Sequence, residues 1–364
     1  MAQGLGKEYC AMPNICQSDF GRCDSDVMPA GYNMSVDDRP QIGVVPYGSV
    51  ISNCRMPRVI ALTYDDGPSE NTKELLDILE EAGAKATFFV SGNNNGKGEI
   101  DLTPTWTDTI KRMAQEGHQI ASHTWSHADL DKASWESRRL EMLKNERALA
   151  NILNVYPTYM RPPYLRCSNQ TECLGDMRGL GYHVISYSFD STDWMHKDNL
   201  TSMTAAFDRV LQTVEVNEGR MLLIQHDTIR ASAIDLTRHV LKRVSQRGWR
   251  AVTVGECLED GPEGWYRSPG WTSPSSTADQ GCLVLSDGFC GKLGRFKTKL
   301  ECVRSNIKCY KHVKQCEEGR VDEEACRSFK ELCLVQSLFC AQCGRSKKNS
   351  PACDIEQLNV FNHG

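Results

Sequence analysis

The chain reads VIALTYDDGPS at residues 59–69, an apolar run that ends in two adjacent carboxylates, a glycine and a proline. An apolar and β-branched run of this length, closed by a Gly-Pro turn, is typical of a buried strand. Two neighbouring aspartates at the end of such a strand favour chemistry over stability, because one can bind a metal ion while the other acts as a base. The alternative is structural: Asp66 would only begin a turn before Gly67 and Pro68.

Apolar strand patterns alternate with amphipathic helical patterns from residue 54 to residue 257. Such alternation predicts a parallel sheet, either open or closed into a barrel, and seven strands favour closure. The expected fold class is therefore α/β, a (β/α) barrel of about seven strands. The predicted strands lie near residues 58–64, 85–90, 118–122, 157–160, 182–189, 220–226 and 250–254. The predicted helices lie near residues 72–81, 107–116, 134–153, 200–216 and 234–247.

Composition and charge limit the possible environments and partners. The 364-residue chain has a formal net charge of -5, which gives no reason to expect a nucleic-acid partner. It has no apolar run of about 18 residues, so we expect no membrane span. Seventeen cysteines indicate an oxidising compartment, and sequons at Asn33, Asn169 and Asn199 agree with a glycoprotein. We therefore expect a secreted monomer, extracellular or in the cell wall.

Composition also divides the chain into four parts. Residues 1–24 form a cysteine-bearing N-terminal extension, residues 25–258 the barrel, residues 259–281 a linker and residues 282–364 a cysteine-rich domain. The N-terminal part resembles the tail end of a hevein-type chitin-binding module, in which Cys10 would be the unpaired thiol that an odd cysteine count requires. The alternative is a disulfide-tied extension with no binding role.

The predicted linker is rich in glycine, proline, serine and threonine, and it carries Trp265, Tyr266 and Trp271. We expect these aromatic side chains to anchor the linker against the barrel. Stacking on sugar rings is the alternative.

The C-terminal region holds ten cysteines, and six of them recur at seven-residue spacing in two segments. Residues seven apart share one face of a helix. Pairing across an antiparallel hairpin keeps the sum of the two positions constant, so we predict a small helical hairpin stapled by three disulfides. A metal cluster is the alternative, although this spacing is wrong for a single tetrahedral site. The predicted disulfides are Cys302–Cys340, Cys309–Cys333 and Cys316–Cys326.

Polar groups follow the carboxyl ends of several predicted strands. In a parallel βα barrel those ends form one face, which is the usual place for an active site. We therefore expect these groups to converge at one mouth, with two aspartates, three histidines and an arginine around a single ion. They are Asp65, Asp66, His123, His127, Arg161, Tyr164, Asp193, Trp194 and His226.

Three of these residues suit a divalent metal. Asp66, His123 and His127 offer one carboxylate and two imidazoles, which leaves a position open for water. The two histidines are four residues apart, a spacing that places them one helical turn from each other. Asp65 is not needed as a ligand and is the expected general base, and His226 is the expected general acid. The pattern predicts metal-assisted hydrolysis of a small acyl group.

Further residues are expected to support this site. Arg161 would fix Asp65, and Asp193 would in turn orient Arg161. The backbone N–H of Tyr164 would help to hold an oxyanion. The candidates for a small apolar pocket that fits a methyl group are Trp194 with Leu223 or Ile224.

Five motifs in this order resemble those of the polysaccharide deacetylases, the fourth carbohydrate esterase family. The stretches at residues 86–98 and 118–127 resemble the fungal chitin deacetylase branch in particular. Tyr64 departs from the family, which more often has phenylalanine at this position. The five motifs are TYDDGP at 63–68, HTWSH at 123–127, RPPY at 161–164, DSTDW at 190–194 and LIQH at 223–226.

The resemblance implies a distorted (β/α) barrel that binds zinc or a similar divalent ion such as cobalt. The implied reaction is amide hydrolysis, the removal of N-acetyl groups from N-acetylglucosamine units of chitin or chitooligosaccharides. In that branch one disulfide joins the ends of the domain and another closes the loop after the arginine motif. Cys54–Cys257 and Cys167–Cys173 match those places.

Two other functions remain open on the sequence alone. An esterase that removes O-acetyl groups from xylan would use the same site. A catalytically silent carbohydrate-binding protein would keep the barrel only as a scaffold. A pseudoenzyme commonly loses a ligand, the base or the acid, whereas this chain keeps all of them, so an active deacetylase is the leading hypothesis.

Overall fold

The structure is a computed structural model that describes residues 11–13, 16, 23–197 and 199–270, together with the strands Leu283–Val284 and Cys290–Gly291. These two strands pair antiparallel and belong to a second unit that contains Thr272–Gly364. The helical hairpin and its three disulfides, predicted within residues 302–340, lie outside the described residues, as does Cys10.

Strands and helices alternate through the barrel. The strands are β1 (Val50–Ile51), β2 (Val59–Asp65), β3 (Thr87–Val90), β4 (Gln119–Ser122), β5 (Tyr156–Pro157), β6 (Tyr159–Met160), β7 (His183–Ile185), β8 (Phe189–Asp190), β9 (Arg220–His226), β10 (Arg250–Val252) and β11 (Tyr266–Arg267). The helices are α1 (Thr72–Glu81), α2 (Pro104–Gln115), α3 (Trp135–Leu153), α4 (Cys173–Gly179), α5 (Leu200–Thr213), α6 (Thr237–Gln246) and α7 (Val254–Cys257). Every predicted strand region contains a strand, and every predicted helix is present.

The central strand of the sheet is β2, and all seven of its residues are buried. It pairs with β9 along its whole length, and its other edge pairs with β10 at the start and β3 at the end. Burial on both faces explains why this strand reads as a continuous apolar run. Asp65 at the end of β2 and Asp66 directly after it therefore follow a strand that is fully packed in the interior.

The sheet is parallel throughout and curls on itself. Its strand order is β1-β7-β6-β4-β3-β2-β9-β8, with β10 paired to β2. Residues 186–188 connect β7 to β8, and Ser186 N donates to Ile51 O in β1 while Ser188 N donates to Leu222 O in β9. The predicted distorted barrel is therefore confirmed, as a parallel sheet curled into a half-barrel.

Helix α3 packs beside the sheet and contacts the loop that follows β4. It begins after Ser134, whose side chain accepts a hydrogen bond from Ser137 N, and it ends at Asn154, which has a φ of 58°. A serine N-cap and a left-handed asparagine at the C-terminus are favourable helix boundaries. These caps explain why the predicted and observed ends of this helix agree closely.

Residues 259–270 pack against the barrel. Strand β11 pairs antiparallel with β5, and Trp265 is buried and donates its indole N–H to Asp260 O at 3.0 Å. The hydroxyl of Tyr266 accepts from Ile120 N at 2.8 Å. Trp265 and Tyr266 thus anchor this part of the chain, as expected, while Trp271 lies outside the described residues.

Three disulfides are present among the described residues. Cys54–Cys257 and Cys167–Cys173 are the pairs that the resemblance implied, and Cys16–Cys23 is a third. In the described part of the chain no helix combines the length and the apolar character needed to cross a membrane.

Loss of the Cys54–Cys257 disulfide is expected to destabilise the barrel more than loss of Cys167–Cys173. The first pair is separated by 203 residues and the second by 6. Chain entropy in the unfolded state then predicts costs of roughly 5 and roughly 2 kcal/mol on replacing each pair by serine. Thermal unfolding of the two double variants tests the order, and an equal or larger loss in the Cys167–Cys173 variant would contradict it.

Candidate metal centre and active site

Three candidate ligands meet where β2 and β4 end. Asp66 directly follows β2 and His123 directly follows β4, and these strands are separated in the sheet only by β3. The Oδ1 atom of Asp66 lies 3.1 Å from His127 Nε2 and 3.4 Å from His123 Nε2. One ligand atom from each of the three residues lies within 4.8 Å of the others. The expected gathering of this trio is therefore observed.

The donor set fits a divalent cation. Asp66 Oδ1 is buried and has no hydrogen-bond partner among the described residues, which is unusual for a buried carboxylate oxygen. His123 Nδ1 contacts the carbonyl oxygen of Arg161 at 2.8 Å, so it donates there and leaves the Nε2 lone pair facing Asp66. Burial alone would raise the pKa of Asp66, but close contacts with His123 and then His127 hold this pKa well below its usual value. One ionised carboxylate and two imidazoles form a donor set that zinc uses in catalytic sites.

The loop that carries His123 and His127 is not helical, so the prediction that the two histidines lie one helical turn apart is wrong. Residues 123–127 form a loop in which Thr124 and His127 have φ values of 66° and 62°. Asp66 has a φ of 76°. Left-handed backbone at residues other than glycine is strained and persists only where the surroundings hold it. The two imidazoles reach one ion through this loop geometry and not through a shared helix face.

Several hydrogen bonds hold the histidine loop. Helix α3 supplies Glu141, whose two carboxylate oxygens accept from the N–H and the hydroxyl of Ser126, both at 2.7 Å. The buried Trp125 donates its indole N–H to Ser25 O at 2.9 Å. His127 N donates to Thr124 Oγ1 at 3.1 Å. The loop that carries both imidazoles is therefore fixed from α3 and from the N-terminal segment.

The predicted contact between Arg161 and Asp65 is present. Arg161 NH1 donates to Asp65 Oδ1 at 2.7 Å, and both side chains are almost fully buried. The same guanidinium donates to Thr63 Oγ1 and to Ser186 O, and it lies over the ring of Phe89 at 4.2 Å from the centroid. Arg161 therefore neutralises and orients one oxygen of Asp65, while the other oxygen lies 4.0 Å from a metal-facing imidazole nitrogen.

His226 lies directly beside Asp65, because the two residues are partners in the register of β2 and β9. Its Nδ1 contacts Asp193 Oδ1 at 2.8 Å. Burial lowers the pKa of the His226 imidazole, but the hydrogen bond and the negative charge of Asp193 outweigh burial and raise this pKa to about 10. His226 is therefore protonated at neutral pH and can donate a proton from Nε2.

The expectation that Asp193 orients Arg161 is wrong. Asp193 follows β8, which pairs with β9, so its carboxylate lies next to His226 at the end of β9. Arg161 follows β6, which lies on the other side of β2 in the strand order. Asp193 is buried, and its Oδ2 accepts from His226 N at 2.8 Å and from Ser232 Oγ at 2.5 Å. Its observed partner is the imidazole, not the guanidinium.

The remaining candidates lie around this site. Tyr164 is half exposed, and its ring packs edge-on against His127 with centroids 4.7 Å apart. Trp194 is exposed directly beside Asp193. Side chains alternate along a strand, so Ile224 shares the face of His226 and Leu223 lies on the opposite face of β9. The geometry favours Ile224 over Leu223 for a pocket beside the acid.

Sequence reasoning gave no role to two charged side chains beside the Asp66 turn, the half-buried Lys97 and the buried Asp227. Lys97 Nζ donates to the carbonyl oxygens of Asp66 at 3.0 Å and Gly67 at 2.8 Å. Asp227 Oδ2 accepts from Thr72 Oγ1 at 2.6 Å. Burial lowers the pKa of Lys97 and raises that of Asp227. Asp227 follows the last strand motif, and Lys97 lies in the stretch at residues 86–98 that resembles the fungal branch, but neither pattern indicated a role for the side chain.

Sequence and structure comparisons place these observations in a family. A sequence model described as polysaccharide deacetylase matches residues 52–185. The chitin deacetylase of Colletotrichum lindemuthianum is 39% identical over 250 residues, which cover 68% of this chain and 98% of that protein. A chitin deacetylase of a Pestalotiopsis species is 40% identical over 226 residues, covering 62% of this chain and 72% of that protein.

The fold comparison agrees. The solved structure of the Colletotrichum lindemuthianum chitin deacetylase superposes with a TM-score of 0.57 at 39% identity, covering 61% of this chain and 97% of that chain. Matches over nearly the whole length of a relative extend the likeness beyond the five motifs to the entire barrel. The chain therefore belongs to the polysaccharide deacetylase family, as its motifs predicted.

Proposed function

We propose that this protein hydrolyses the N-acetyl groups of N-acetylglucosamine units in chitin or chitooligosaccharides in a metal-dependent reaction. The observation that carries the proposal is the buried Oδ1 of Asp66, which has no hydrogen-bond partner among the described residues and lies within 3.4 Å of the Nε2 atoms of His123 and His127. Beside this trio lie Asp65 and His226, a base and an acid in register on adjacent strands. The chitin deacetylases of Colletotrichum lindemuthianum and the Pestalotiopsis species support the choice of substrate.

Asp66, His123 and His127 would hold the metal. We propose zinc, with cobalt as the second candidate, because this donor set leaves a position open in a tetrahedral site. When bound, the metal supplies a Lewis acid that polarises the acyl oxygen and lowers the pKa of water at the site. The contact from His123 Nδ1 to Arg161 O keeps Nε2 free to bind it.

Asp65 and His226 divide the proton transfers. Asp65 Oδ2 takes the proton of the attacking water, because Arg161 occupies Oδ1 and leaves Oδ2 on the side of His123. His226 Nε2 then donates a proton to the leaving amine, and Asp193 at Nδ1 keeps the imidazole charged until that step. General acid–base catalysis of this kind requires each group to be in the right protonation state before the reaction.

The substrate groups are proposed to lie between two exposed aromatic side chains. Tyr164 and Trp194 are each about half exposed beside the site, and aromatic faces of this kind can pack against sugar rings. The backbone N–H of Tyr164 would help to hold the oxyanion, and Ile224 beside His226 would contact the acetyl methyl group. We further propose a secreted, monomeric glycoprotein, extracellular or in the cell wall, for which the disulfides are the support.

Acetate release from a zinc-loaded preparation tests the proposal. We expect release from N-acetylglucosamine oligomers, loss on chelation, and recovery on adding zinc back. His123→Ala should weaken zinc binding by more than about 100-fold, beyond what outer-shell substitutions typically cost, and should lose activity. His239→Ala, which removes a histidine paired with Asp208 on the helical surface, is the matched control.

The alternatives give different outcomes. Faster release from acetylated xylan than from chitooligosaccharides would favour the O-acetyl esterase. A zinc-loaded protein that releases no acetate from any acetylated glycan, yet is retained on chitin, would contradict the enzyme and favour the binding protein.

A further inference from the structure

The loop between β3 and α2 contacts the turn that carries Asp66. Residues 93–98 turn sharply, with Asn95, Gly96 and Gly98 all in the left-handed region. Hydrogen bonds fix the backbone of Lys97 at both its N–H and its carbonyl oxygen. Its N–H donates to Asn94 O at 3.1 Å, and its carbonyl oxygen accepts from the indole N–H of Trp106, on α2, at 3.0 Å. This loop therefore presents the Lys97 side chain from a fixed backbone.

The amino group of Lys97 is directed at the turn that carries the first metal ligand. Its Nζ lies 3.0 Å from Asp66 O and 2.8 Å from Gly67 O, two carbonyl oxygens that follow each other in the chain. Asp66 has a φ of 76°, a strained conformation that the surroundings must maintain. Two hydrogen bonds from one amino group to successive carbonyl oxygens fix the orientation of both peptide groups in this turn.

The same turn also packs against Asp227. A Cβ added to Gly67 would lie 2.1 Å from Asp227 Oδ2, so only glycine permits this approach. Asp227 is in turn held by Thr72 Oγ1 at 2.6 Å, and its carbonyl oxygen accepts from Ser69 Oγ at 2.7 Å. The turn is thus held by a carboxylate that packs against Gly67 and by an amino group that binds two of its carbonyl oxygens.

We propose that Lys97 is a positioning residue for the metal centre. By binding the carbonyl oxygens of Asp66 and Gly67, Lys97 sets the direction of the Asp66 carboxylate. The side chain contacts neither of the two histidines in the described structure; its effect reaches the ion through Asp66. The inference rests on the metal site of the proposed function. It extends that site to a residue 31 positions away from Asp66, on a loop that carries none of the five motifs.

Zinc affinity of the full chain tests this role. Lys97→Met keeps the length of the aliphatic stem and removes the donors, and we expect its dissociation constant for zinc to rise by roughly 10- to 100-fold, the usual effect of losing an outer-shell partner. The zinc concentration that gives half-maximal acetate release should shift by the same factor. Lys111→Met, on the exposed face of α2, is the matched control and should leave the dissociation constant unchanged.

The melting temperature of the zinc-free protein separates positioning from general stability. A lower melting temperature with unchanged zinc affinity would overturn the proposal. If Lys97→Met does not fold, Lys97→Gln replaces it, because glutamine is too short to reach both carbonyl oxygens, and wild-type zinc affinity in that variant would equally overturn the proposal. An unsubstituted protein that binds no zinc contradicts the proposed function, whereas equal affinity in all folded variants contradicts only the role of Lys97.

Discussion

Replacing Asp65 with asparagine is expected to abolish most acetate release while leaving zinc bound. Asparagine keeps the shape of the side chain and an oxygen that can accept from Arg161, which contacts Asp65 Oδ1 at 2.7 Å. It cannot take a proton from water, so kcat should fall by about 10²- to 10⁴-fold, the range that general acid–base groups contribute. Zinc titration and steady-state acetate release on the same preparation measure the two effects separately.

The neighbouring carboxylate provides the contrast. Asp66→Asn is expected to lose zinc as well as activity, because Asp66 Oδ1 is the oxygen that faces both imidazoles at 3.1 and 3.4 Å. Two adjacent aspartates should therefore give opposite zinc-binding results. Full activity in Asp65→Asn would remove Asp65 as the base, and loss of zinc in that variant would show that it is a ligand.

The buried strands and the residues at their ends were predictable because these signals are local. The run at residues 59–65 forms β2 as predicted, and Asp65 and Asp66 stand at its end. Parallel strands point the same way, so a residue that follows a strand must lie on the common face whatever the strand order. That rule alone brought Asp66 near His123 without any knowledge of which strands are neighbours.

Partners across the site depend on strand order, which no local pattern records. Asp193 binds His226 and not Arg161 because β8 pairs with β9. Lys97 reaches Asp66 only because the loop after β3 turns back under the end of β2. Both relations link residues more than 30 positions apart, and both arise from tertiary packing. Prediction from the sequence therefore named residues that the structure brings together, but it failed for some of the contacts between them.

The contact between Asp193 and His226 predicts a change in pH dependence. His226 must be protonated to act as the acid, so activity should fall as pH rises through its pKa. Burial lowers this pKa, and Asp193 overrides burial and raises it from the ordinary value of 6.5 to about 10. Asp193→Asn removes the negative charge and the largest of the effects that oppose burial, so the pKa of His226 should fall. The alkaline limb of kcat against pH should then move to lower pH by about one unit or more.

The same substitution should lower kcat at any pH above the new pKa, by about tenfold for each pH unit, because the neutral imidazole cannot protonate the leaving amine. Asp208→Asn is the matched control: Asp208 lies 3.0 Å from His239 in a carboxylate–imidazole pair on the helical surface, and its loss should leave the pH profile unchanged. Asp193 is not a ligand in the proposed site, so zinc affinity should also be unchanged. A variant that loses activity with an unshifted alkaline limb would show that Asp193 acts on something other than the proton of His226, and the assignment of His226 as the acid would then fail.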